Sequence, residues 1–476
     1  MATFYSTFGG QLSQAELDFV DVDTAFDNPL YLDPYAIQIR NDEWSATCGD
    51  HIRSFFAEVL EALRDDNPAR AGHLLGNLHE PNETCFGQSV GEPAGRGVGH
   101  GKALDLVEAL RHSRAFGTGV LADISEAELF IRGVGPDTIS DLTTNILRGL
   151  LADYTKDQCD LLGIPTRTLP LDPCWSAERQ DWVSRFYELP ISNGKPILLV
   201  PKFSVRRTLS LNSQEFWNHY MIEFLRQEYL DARSSLVRTF RDGVRYVTKK
   251  SVKERHPLIK DDLATFVQRH PEVLEEYKRI KGAQGPLDND DLDANFDETV
   301  FARVLIDRLA GIATGNNTAS EYHRVAMGIT TFLFFPSLIK PIKEQEIHEG
   351  RKRMDIKFTN AAQIGFFFRM LQAPQTRSIS VPVECKNYSN DVENPELDQL
   401  TGRFGLQRGF FGMMLCRRLD ERPRVVAACR DAAGDGRGYM LVLEDADLVQ
   451  MLEMVERHRR PDIDTFLQRR FDEITH

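Results

Sequence analysis

The chain has 476 residues with 71 acidic and 57 basic side chains, a formal net charge of −14, which excludes a uniformly basic nucleic-acid coat but leaves room for a local basic groove. Hydrophobic residues at 42% and charged residues at 27% describe ordinary cores rather than disorder, and the length suits roughly two to four domains. Seven cysteines without a CxxC pair or a zinc-spaced His/Cys cluster point to reduced thiols in a cytoplasm and to no structural zinc.

The amino terminus, MATFYSTFGGQLSQAELDF, lacks the basic and apolar regions of a signal peptide. Ile52, Phe55, Phe56, Val59, Leu60 and Leu63 recur at helical spacing and predict a helix over His51 to Arg64. The glycine-rich stretch Gly87 to Lys102 fails the phosphate-loop pattern twice, at Arg96 and at Ala103, and reads as a mobile loop. Leu104 to Leu110 predicts a helix, Glu128 to Val134 a short strand and Ser140 to Tyr154 an amphipathic helix, with Ser140 or Asp141 as its cap. Asp137 and Asp141, one turn apart, have no evident third partner for a metal. Pro196 to Pro201 reads as an apolar strand and Phe216 to Tyr229 as a helix.

Arg233 to Lys260 is strongly basic, with Phe240 and Tyr246 interleaved. It suits either a phosphate-facing surface or a solvated face offsetting the acidic remainder. The polar, acidic, turn-rich segment Gly282 to Glu298 marks a boundary. The expected organisation is an α/β amino-terminal region over 1–281, a linker over 282–298 and a further domain over 299–476. The longest apolar run, near Met327 to Pro336, is interrupted by Gly, Thr and Pro and is too short for a bilayer, so no membrane partner is expected.

In the last domain, helices are expected at Thr299 to Ile312, with Val300, Val304, Leu305 and Leu309 on one side, and at Ser320 to Thr331. Strands follow at Lys340 to His348 and Arg351 to Phe358, joined at Gly350, with a helix at Ala361 to Leu371. Ile379 to Lys386 is the third strand. Its Val381, Val383 and Cys385 alternate with Pro382, Glu384 and Lys386, so Glu384 and Lys386 share a face about 7 Å apart. A helix at Pro395 to Phe404, strands at Gly412 to Cys416 and Tyr439 to Leu443, and a terminal helix around Asp445 to Glu456 complete the order.

Asp355 in MDI, Glu384 and Lys386 in VPVECKNY, and this element order resemble the PD-(D/E)XK, or restriction-endonuclease-like, nuclease superfamily. The resemblance covers about the last third of the chain. Gln399 in ELDQLTGRF resembles the glutamine that Mrr-like and Holliday-junction branches carry on the following helix. Asp355 departs from the motif in not following a proline. The implied fold is an αβββαβ core with a mixed central sheet flanked by helices. Implied metal ligands are Asp355, Glu384 and the main-chain carbonyl of Cys385, with Glu321 as an outer acid. TASE also satisfies a capping box through Thr318 and Glu321, and that alternative stays open.

Such carboxylates suit Mg²⁺, with Mn²⁺ as a substitute, because hard cations prefer oxygen ligands. Lys386 is placed to orient water and offset charge. The expectation is a metal-dependent endonuclease acting on DNA rather than RNA, in restriction or antiviral defence. Its amino-terminal region would serve recognition, regulation, homo-oligomerisation or a protein partner. The competing expectation is a non-catalytic nuclease-like module for nucleic-acid binding or assembly, since Glu and Lys on one strand face also make a plain ion pair. His323 and His348 are expected at the surface or in packing, and Glu344 and Glu346, alternating on the first strand, are expected to face solvent.

Overall fold

The computed structural model describes residues 3–87, 100–343 and 356–475, the side chains of 100–104 excepted. The chain divides into two units, one of Val22–Asp153 and Arg167–Pro286, the other of Met1–Asp21, Tyr154–Thr166 and Leu287–His476.

In the first of these, the Asp42 carboxylate accepts from the Ser45 amide and starts helix Glu43–Arg64 about two turns before the expected His51. Cys48, Ile52, Phe55, Phe56, Val59, Leu60 and Leu63 form its buried face, and Phe55 meets Trp175 and Trp182 edge-on. Most of the glycine-rich loop lies outside the described residues, and the helix after it is His100–His112.

Three sequence expectations for this unit are corrected. Glu128 to Val134 holds no strand. Asp123 accepts from the Ser125 amide, and a helical turn, Ala127–Phe130, follows and is buried throughout. So short an apolar run buries equally well on either element; here Glu128 turns inward and accepts from the Ser213 hydroxyl at 2.8 Å. Ser140 and Asp141 cap nothing, because the helix begins at Pro136, whose missing N–H costs nothing at a first helical position, and runs to Leu162. The Ser140 hydroxyl instead accepts from the Leu32 amide at 3.0 Å. Of Pro196 to Pro201 only Lys195–Pro196 is strand; Ile197 to Val200 is buried outside any ladder, with the Leu198 amide donating to the Glu83 carbonyl. The helix expected at Phe216 runs Ser213 to Asp231 through a π turn at Trp217–Met221.

The second unit is a mixed α/β assembly. Asp297 accepts from the Thr299 and Val300 amides and caps α1, Glu298–Gly311. Ala302, Leu305 and Leu309 form its inner side, whereas Val300 and Val304, expected there, are 59% and 42% exposed. Then come α2 (Ala319–Phe334), β1 (Leu338–Lys343), β2 (Ile356–Asn360), α3 (Gly365–Gln372), β3 (Ser380–Lys386) and α4 (Asn394–Thr401). After these follow β4 (Phe411–Cys416), α5 (Arg422–Gly434), β5 (Tyr439–Glu444), α6 (Asp445–Glu456) and α7 (Asp462–Thr475). The expected hairpin at Gly350, with Glu344, Glu346, His348 and Asp355, lies outside the described residues.

The five strands make one mixed sheet in chain order. β1 with β2 and β2 with β3 are antiparallel; β3 with β4 and β4 with β5 are parallel. Parallel neighbours require crossovers, which α4 and α5 supply. β4 is buried at every position, as a strand covered on both faces must be. Helices α5 and α7 were not expected; α5 buries only Val425, Cys429 and Ala432, too sparse a stripe to read.

The two short segments from elsewhere in the chain hold this unit at its edge strand. β1 has a register irregularity between Ile339 and Ile342, where Lys340 adopts a positive φ of 49°. The Asp18 carboxylate accepts from the Lys340 amide at 3.0 Å and from the Tyr154 hydroxyl at 2.7 Å, and Gln158 donates to the Pro341 carbonyl at 2.9 Å. Buried Glu16 accepts from Arg308 at 2.9 Å, and Gly328 of α2 makes room for it: a Cβ there would lie 2.6 Å from the carboxylate. No described helix is long and apolar enough to cross a membrane.

Candidate active site

Strand β3 carries the expected alternation. Its Pro382 side abuts Leu400 and Phe404 at the end of α4, since a Cβ built on the adjoining Gly412 would lie 2.9 to 3.1 Å from all three side chains. Glu384 and Lys386 share that side. Cys385 points the other way, beside Tyr322 of α2, and burial pushes its thiol up to about 12. Its side chain is therefore core, leaving only its main-chain carbonyl as a conceivable ligand.

Glu384 is fully buried. Lys386 Nζ lies 2.9 Å from Glu384 Oε2 and donates to Gln399 Oε1 at 3.2 Å, so strand and following helix meet at the ammonium. Arg403 Nε lies 3.8 Å from Glu384 Oε1. Lys386 and Arg403 each keep 12% of the side chain exposed. The structure thus brings together Glu384, Lys386 and Gln399 and adds Arg403, four positions beyond Gln399. Arg403 lies in the turn just past Thr401, the last residue of α4, so helical spacing from Gln399 does not account for its position.

Asn387, immediately after the motif, was also missed. The two N–H groups of its buried amide are shared among the Ala313 carbonyl at 3.1 Å, the Gly315 carbonyl at 2.8 Å and the Thr318 hydroxyl at 3.0 Å. It ties the end of β3 to the loop that leads into α2. Thr318 uses its hydroxyl on the Ala313 carbonyl and makes no side-chain cap, so the capping-box alternative is not realised; Glu321 sits exposed in the first turn of α2.

The donor set fits a hard cation only in part. Glu384 is a buried carboxylate of the right chemistry, and Asp355, the partner acid expected beside it, falls outside the described residues; β2 begins at the next position, with Ile356 opposite Val383. The one close group of three or more possible ligands among the described residues is Asp288, Asp290 and Asp291, in the expected linker. Two cations already face Glu384, so a metal there would compete with Lys386 and Arg403.

A family described as a domain of unknown function (DUF8370) matches residues 10–212, a part that does not include the five-stranded sheet. No curated protein and no solved structure matches the chain.

Proposed function

We propose that this chain is a metal-dependent phosphodiester hydrolase of the PD-(D/E)XK kind, a DNA endonuclease whose centre is Glu384, Lys386 and Asp355. The observation that carries this reading is the fully buried Glu384 held 2.9 Å from Lys386, with Lys386 also donating to Gln399. A buried ion pair is a poor stabiliser, because desolvating both charges consumes most of their attraction and apolar replacements do as well or better. Its occurrence on an otherwise apolar strand favours a chemical role. With α3 as an insertion between β2 and β3, the succession α2, β1, β2, β3, α4 and β4 also accords with the helix, three strands, helix, strand order that the resemblance implies.

Glu384 and Asp355 would hold the metal, with the Cys385 carbonyl as a further ligand and Glu321 as an outer one. Magnesium supplies a Lewis acid for the phosphate and lowers the pKa of a bound water. Lys386, fixed by Gln399, orients the water whose oxygen bonds to phosphorus as the bond to the leaving oxygen breaks. Its ammonium offsets the negative charge that grows there. Arg403 adds a second cation on the same side, suited to a phosphate oxygen through its planar fork. A role in restriction or antiviral defence accords with the resemblance.

The decisive test incubates plasmid, linear and single-stranded DNA and RNA with the full chain, with Mg²⁺ and with chelator. Cleavage that needs the metal and is lost in Glu384→Gln and Asp355→Asn, with unchanged circular dichroism, is the expected result. Full cleavage by both variants would sink the assignment. The presence of Lys386 and Arg403 against Glu384 favours a second reading, a carboxylate neutralised by its own chain in a module that binds without cutting. That reading gains if Mn²⁺ titration gives neither heat nor a rise in melting temperature.

A further inference from the structure

The basic stretch of the first unit folds into a hairpin in which Arg238 pairs with Tyr246 and Thr239 with Arg245. The Phe240 amide donates to the Val244 carbonyl at 2.8 Å and closes the turn. Alternation places Arg238, Phe240, Val244 and Tyr246 on one face. There Phe240 stacks on Tyr246, ring centroids 3.9 Å apart and planes 21° off parallel. Phe240 nevertheless remains 52% exposed and Val244 57% exposed.

Arg238, Arg241 and Arg245 are exposed as well, and none has a carboxylate at ion-pair distance among the described residues. The neighbouring cations behave differently. Lys249 pairs with Glu223 at 2.5 Å, Lys253 lies over the Trp217 ring and Arg255 over Tyr229. A solvated basic face accounts for the arginines but not for the open ring. A stabilising aromatic pair accounts for the stack but not for the unmatched charge around it. In a chain of net charge −14, a local excess of positive charge beside an open aromatic face is complementary to a flexible polyanion carrying planar bases.

We propose that this hairpin binds single-stranded nucleic acid, with a base stacked on Phe240 and adjacent phosphates accepting from Arg238 and Arg241. The inference rests on the phosphodiesterase reading only for the class of ligand. Binding is therefore measured in chelator on the full chain carrying Glu384→Gln, so that failure to bind and failure to cut are separate results. Fluorescence anisotropy follows a labelled oligothymidylate and a labelled duplex over a range of salt.

Adding Phe240→Ala is expected to weaken oligothymidylate binding about tenfold, and Phe240→Trp to restore it. Adding Arg238→Ala with Arg241→Ala is expected to flatten the log–log salt dependence by about 1.4, two phosphate contacts on a single strand. Unchanged affinity and slope in these variants overturn the proposal, as does absence of binding to either probe, which would leave the hairpin to an acidic protein surface. Loss confined to duplex binding also overturns it, in favour of a backbone contact without stacking.

Discussion

Lys386 is the residue on which the candidate centre turns, because it touches both the strand acid and the helix glutamine. Removing its ammonium should leave the fold intact and lower cleavage by about 10²- to 10³-fold, the scale of losing one preorganised charge-stabilising donor. Gln399→Ala should cost less, since the glutamine acts through Lys386; single-turnover rates on one DNA substrate order the two. Asn387 acts on structure instead. Asn387→Ala removes the two N–H groups that three acceptors share between β3 and the loop before α2, and should destabilise the unit by about 2 to 3 kcal/mol in urea unfolding.

On the other face of the sheet, burial pushes the Asp445 carboxyl up to about 6, against the opposing pull of Arg417 and the Tyr322 hydroxyl. A folded-state pKa above the ordinary 3.8 means that the folded chain holds the proton more tightly. The contribution is therefore present below about pH 4 and is lost as pH rises to about 6. Relative to Asp445→Asn, the wild-type chain should lose stability across that window, by at most about 3 kcal/mol. A wild-type-minus-variant difference that stays flat from pH 4 to 7 would show that burial does not govern this group.

Among the elements, β3 and β4 set the position of the site, and their close approach to α4 depends on Gly412. A methyl there meets Phe404 at 2.9 Å, Pro382 at 3.0 Å and Leu400 at 3.1 Å. Gly412→Ala should cost about 1 to 3 kcal/mol by overpacking and should loosen the helix that presents Gln399. Reduced cleavage with Glu384 and Lys386 intact, together with a lowered melting temperature, is the expected pair of results. The strands of this sheet were legible in the sequence because alternation and continuous apolar runs are local signals. The short Ala127–Phe130 turn was not, since three apolar positions around one acid suit strand and helix alike, and the inward course of Glu128 depends on Ser213.

For the whole molecule, the unit that carries the candidate site is discontinuous in sequence: residues 1–21 and 154–166 join 287–476. Asp18 satisfies the amide that the irregularity in β1 frees, and the buried Glu16 carboxylate receives the partly exposed Arg308. A fragment beginning at Leu287 leaves that strand edge uncovered and Arg308 without its buried partner, and exposed edges template aggregation. Limited proteolysis and gel filtration should find the fragment less protected and more aggregated than the same residues in the full chain. Equal protection would mean that the two segments are dispensable.

By itself, the sequence determined the five strands, most of the helices around them, and the facing of Glu384 and Lys386, because side-chain direction on a strand follows from a period of two. It also singled out Gln399, through a resemblance rather than through spacing. Only the tertiary structure decided that Arg403 turns toward Glu384, that Asn387 fastens β3 to the start of α2, and that Asp18 serves the edge strand and Glu16 the helix cation Arg308, each more than 290 positions away. Those outcomes depend on which distant backbone amide or buried cation lacks a partner, and such a vacancy exists only once the chain has closed around it.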